Sequence, residues 1–97
     1  SKDEFSNFFD IVNELLGNAP KTFIDEFVVT DEFKLFEKVG NNPISSSNED
    51  RSNFFIMINN VLGDLPSDSI ETFVNSPDFE IYTRISELYG AWIIWVY

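Results

Sequence analysis

The sequence predicts an all-α fold of six helices, arranged as two tandem three-helix repeats packed into one pseudo-symmetric domain. Three observations carry this expectation. The stretch "NFFDIVNELLG" at positions 7–17 returns as "NFFIMINNVLG" at 53–63. Apolar residues recur at i, i+3, i+4 and i+7 through each copy, the spacing of one helical face. Pro, Gly, Asn and Ser separate the periodic stretches at matching places in the two copies.

Shifting the chain by 46 positions aligns Ser6–Gly40 with Ser52–Ser86 without a gap. Twelve positions are identical, among them Phe8/Phe54, Phe9/Phe55, Leu16/Leu62, Pro20/Pro66, Phe27/Phe73 and Phe33/Phe79. Pairs such as Val12/Ile58, Leu35/Ile81, Phe36/Tyr82 and Val39/Ile85 keep their apolar character. Such self-similarity at a fixed period marks an internal repeat.

The first block of each copy is a long amphipathic helix. Phe5, Phe8, Phe9, Val12, Leu15 and Leu16 form its stripe over about 3–16, with Gly17 expected beyond the end as a C′ residue. Its twin is expected over about 50–62, with Phe54, Phe55, Ile58, Val61 and Leu62 on the stripe and Gly63 ending it. The second block opens at Pro20 or Pro66, which suits only a first helical turn, and carries Ile24, Phe27 and Val28 or Ile70, Phe73 and Val74.

The third block begins "TDEFKLF" or "SPDFEIY". Thr30 and Ser76 are natural N-caps, and Asp31, Glu32 and Asp78 favour the positive end of a helix dipole. The first of these helices should stop near Gly40 and the second near Gly90. The expected organisation is one domain over 1–97: repeat one about 3–40, a linker about 41–49, repeat two about 50–90, and an apolar tail 91–97. A unit of about 46 residues is close to the size below which a domain rarely folds alone, so each copy needs the other to cover its Phe face.

Composition narrows the function. Six Lys and Arg stand against 17 Asp and Glu, for a formal charge of −11, and both halves are acidic. Nucleic-acid binding needs clustered cations to displace counterions from phosphate, so no direct nucleic-acid partner is expected. An anionic membrane surface meets the same objection. No apolar run is long enough for a span, and a membrane role is not expected unless the chain is part of a longer protein whose span begins in "AWIIWVY". The absence of Cys removes disulfides and thiolate chemistry, which makes a reducing cytoplasm the default location.

No enzyme is expected. The chain has neither His nor Cys, so the common general bases, nucleophiles and transition-metal ligands are missing. Adjacent carboxylates such as Asp25/Glu26, Asp31/Glu32 and Glu49/Asp50 do not share a helix face. "SSSNEDRSN" lacks the residue order and the Gly of a calcium loop, and the four glycines form no phosphate cradle. No cofactor or metal is expected.

Differences between the copies single out candidate partner-binding residues. Asp10 is replaced by Ile56, which with Met57 makes the second long helix apolar around much of its circumference. Phe23 stands where the second copy has Ser69, and Trp92 and Trp95 of the tail have no counterpart. The expected function is therefore a non-catalytic protein-interaction or scaffolding domain using Phe23, Ile56, Met57, Trp92 and Trp95. The acidic surface favours a basic partner, and the tail offers a route to self-association. Two alternatives are an acidic inhibitor that imitates nucleic-acid phosphate and a helical bundle that carries an apolar ligand among its Phe side chains.

Overall fold

A computed structural model describes residues 3–89, and among them there are six α-helices and no strand. In chain order they are α1 (Glu4–Gly17), α2 (Lys21–Phe27), α3 (Asp31–Asn41), α4 (Asn48–Leu62), α5 (Ser67–Val74) and α6 (Asp78–Leu88). The apolar tail, with Trp92 and Trp95, lies outside the described residues.

Side-chain caps start three of the helices. Asp3 accepts the Ser6 backbone N–H at 2.9 Å, Thr30 Oγ1 accepts that of Phe33 at 3.3 Å, and Ser47 Oγ accepts that of Asp50 at 3.1 Å. The Ser6 N–H, aided by Arg51, holds the Asp3 carboxyl below its ordinary value. Pro20 and Pro66 are themselves the N-caps of α2 and α5, and their carbonyls accept the first intrahelical bonds from Ile24 and Ile70.

Several boundaries differ from expectation. Ser76 does not cap α6: its hydroxyl donates back to the Phe73 carbonyl at 2.7 Å, and Pro77, already helical in φ and ψ, precedes the helix without a side-chain bond. Gly17 is the last residue of α1, followed by Asn18 as C-cap, so no left-handed C′ glycine ends this helix. Helix α4 begins at Asn48, because Ser47 supplies a cap three residues before Asp50, and this shortens the linker to 42–47. Helix α6 ends at Leu88.

Helix α3 ends at Asn41, one residue past the expected stop near Gly40. A Cβ at Gly40 would stand 2.7 Å from Cζ of Phe9, so this glycine lets α3 approach the ring on α1.

The core is a cluster of aromatic rings. Phe8, Phe54, Phe55 and Tyr82 have no exposed surface, and Phe8 meets Phe54 edge-on with centroids 6.0 Å apart. Helix α1 packs against α6, α3 against α4, and α5 against α6. Each buried Phe contributes about 1.5–3 kcal/mol, so these rings dominate the stability of a domain this small. Among these rings the Tyr82 hydroxyl donates to Asn59 Oδ1 at 3.1 Å, which satisfies two groups that burial would otherwise penalise.

Arg51 closes one end. Its Nη2 lies 2.8 Å from Asp3 Oδ2 and 3.0 and 2.9 Å from the carbonyls of Pro43 and Ile44, while its Cζ sits 4.7 Å above the Phe5 ring. One side chain thereby ties the start of α1 and the 42–47 linker to α4.

The glycine contact yields a sign test. Gly→Ala inside a helix gains about 1 kcal/mol from propensity, whereas overpacking costs roughly 1–3 kcal/mol. Phe9 is pinned between Phe36 at 5.1 Å and Phe54 at 5.5 Å, so its ring has little room to yield. Gly40→Ala should therefore lower the urea-unfolding free energy, by about 1 kcal/mol; a net gain in stability would show that the Phe9 ring moves freely.

Candidate docking surface

The second long helix is both central and exposed. Phe54, Phe55, Met57 and Ile58 of α4 are buried, while Ile56, on the opposite side, remains 48% exposed. Helical spacing places Ile56 one turn before Asn60 and next to Asn53 on that outer side.

Two open grooves meet beside it. One, of about 320 Å³, lies between α2 and the end of α4 and is lined by Phe23, Phe27, Val61, Glu26, Glu32 and Asp64, together with Thr30. The other, of about 360 Å³, runs along α4 past Asn53, Ile56, Met57 and Asn60. Glu32, Val61 and Asp64 line both, so the two form one continuous surface.

This surface brings together three of the five residues singled out from sequence. Ile56 stands on it exposed. Phe23 is half-buried, with its ring packed against the core. Met57 is only 8% exposed and belongs mainly to the core, because the same helix that presents Ile56 outward turns its next residue inward. Trp92 and Trp95 fall outside the described residues.

Sequence periodicity missed several exposed apolar side chains. Val28, expected on the inward stripe of α2, is 42% exposed because the helix ends before it and the chain turns. Val29, Ile44 and Leu88 are more exposed still. Val29 and Ile44 lie in connections, where helical spacing carries no information about direction.

The electrostatics of the surface are one-sided. The described cations are engaged elsewhere: Lys21 with Asp25, Lys34 with Asp31, Lys38 with Asp50, Arg51 with Asp3, and Arg84 with Glu4 and Glu80. Glu26, Glu32 and Asp64 form no ion pair among the described residues. The groove thus couples an apolar floor to uncompensated negative charge.

Among the described residues no group of three or more carboxylates converges as a metal site, and no helix is long and apolar enough to cross a membrane. Compared with models of known families, with curated proteins and with solved structures, the chain matches none.

Exposure separates Ile56 from its neighbour experimentally. Ile56→Asp should change the unfolding free energy by no more than about 0.5 kcal/mol, as for other surface sites. Met57→Ala should cost about 2 kcal/mol or more. Denaturant titrations of the two variants check this contrast, and equal losses would contradict the assigned orientation of α4.

Proposed function

We propose that the chain is a non-catalytic protein-interaction domain built from two tandem three-helix units, and that it binds a basic partner through the α2/α4 surface. The observation that carries the binding reading is the continuity of that surface. It joins Phe23, Ile56 and Val61 to Glu26, Glu32 and Asp64, with no cation among its lining residues. An apolar floor with a charged rim is the usual anatomy of a protein interface.

The two-unit arrangement is supported by ring pairs that repeat at a shift of 46. Phe27–Phe33 and Phe73–Phe79 are both 5.5 Å apart, at 85° and 89°. Phe33–Phe36 and Phe79–Tyr82 are both stacked, at 11° and 9°. Phe9–Phe36 at 5.1 Å corresponds to Phe55–Tyr82 at 5.3 Å.

Contacts between the units also correspond when the units are exchanged. Phe9–Phe54 at 5.5 Å maps onto Phe55–Phe8 at 5.7 Å, and the packing of α1 on α6 maps onto that of α4 on α3. Phe8–Phe54 maps onto itself, as a contact on a two-fold axis must.

Affinity capture from native cell extract, with bound proteins identified by mass spectrometry, tests the function. The wild-type chain should retain a basic protein that Ile56→Asp loses, and raised salt should weaken this retention without abolishing it, because the apolar contact is not screened. Capture that vanishes at high salt and ignores Ile56→Asp would instead favour the reading in which surface carboxylates imitate nucleic-acid phosphate.

A further inference from the structure

A second groove lies between α1 and α5. It has a volume of about 360 Å³, an apolar floor of Ile11, Leu15, Ala19, Leu65 and Phe73, and a rim that includes Glu14, Asp68 and Asp78. No Lys or Arg lines it, and none of these three carboxylates forms an ion pair among the described residues.

Shifted by 46 positions, every residue lining the α2/α4 groove falls on a residue lining this one. Phe27 falls on Phe73, Val61 on Leu15 and Glu32 on Asp78. The exchange with the largest change in volume is Phe23 for Ser69. In the first unit the Phe23 ring is partly buried against the core. In the second, Ser69 has no ring to place there.

We propose that the α1/α5 groove is a second docking site, which takes one aromatic side chain of a protein partner flanked by Lys or Arg on the same segment. The proposal rests on the two-unit, basic-partner reading above. Phe23, which lines the equivalent groove together with Phe27, defines the missing group: a ring laid beside Phe73. The carboxylate rim defines the charge beside it, since a cation next to Glu14, Asp68 or Asp78 gains attraction that a neutral segment does not. The chain's own "AWIIWVY" supplies rings but no cation, and it would leave those carboxylates unmatched.

The test is an NMR titration of the isotope-labelled full chain with two pentapeptides, acetylated and amidated: Lys-Lys-Trp-Lys-Lys and the same peptide with Ala at the centre. The Trp peptide should cause saturable shifts at the amides of Leu15, Ser69 and Thr72. The Ala peptide should bind there roughly 10- to 100-fold more weakly, the factor expected for burying a large apolar side chain. Ser69→Phe, which installs the residue of the other unit, should cause a similar loss at these amides and leave shifts near Phe23 and Ile56 in place. Asp68→Lys, at an exposed rim position, provides a second variant and should also weaken binding of the Trp peptide.

Equal binding of the two peptides, or indifference to both Ser69→Phe and Asp68→Lys, would overturn the proposal. So would concerted shifts of residues 91–97 with those of the groove, the sign of the chain's own tail being displaced from the recess. Shifts confined to the α2/α4 surface would overturn the second site while leaving the interaction domain standing, whereas silence at both grooves would count against the basic-partner reading itself.

Discussion

Phe8 and Phe54 meet edge-on near the middle of the bundle, both without exposed surface, and the remaining helices are positioned by rings that reach this pair directly or through one intermediate. Phe36 of α3 touches Phe54, and Tyr82 of α6 touches Phe8. Phe27 of α2 and Phe73 of α5 then pack on Phe36 and Tyr82. Loss of a central ring costs about 3–5 kcal/mol, a large fraction of the 5–15 kcal/mol typical of a whole domain. The α-helical stripes of α1 and α4 are thus stable because each supplies the apolar surface that the other must bury.

This economy of the core shapes the surface. The rings that hold the bundle are drawn inward from every helix, so few large apolar side chains remain outside, and those that do carry more meaning than on an average surface. Ile56 is one of them, on the back of the helix that contributes Phe54. The described cations sit in pairs, most of them exposed and contributing little to stability, and Arg51 alone is largely covered. What is left over is carboxylate, including Glu14, Asp68 and Asp78 on the rim of one groove and Glu26, Glu32 and Asp64 on the other.

Much of the helix layout was legible because its determinants are local. Apolar spacing located α1 and α4, and Pro20, Thr30 and Pro66 located the starts of α2, α3 and α5 to within a residue. Ser47 carried a readable capping signal, with Asp50 three residues on, that the spacing of the Phe stripe overshadowed. The end of α3 was placed to within a residue, near Gly40, but the other role of that glycine, admitting the Phe9 ring, was not legible, since only the 2.7 Å approach shows it. The candidate site was legible as differences between copies in Phe23 and Ile56, whereas Met57, singled out with them, turned inward to the core. The floor of the site at Val61 and its rim at Glu26, Glu32 and Asp64 were not legible, since they come together only when α2 and the α2–α3 turn fold against α4.

Native-state hydrogen exchange on the full chain, with and without Phe54→Ala, tests most directly whether one aromatic core binds both halves into a single cooperative unit. The account predicts that the slowest amides of α1 and α4 open with the same free energy, and that Phe54→Ala lowers both by the same amount, about 3–5 kcal/mol. Slow amides in α1 and α3 that keep their protection while those of α4 and α6 lose it would contradict a shared core.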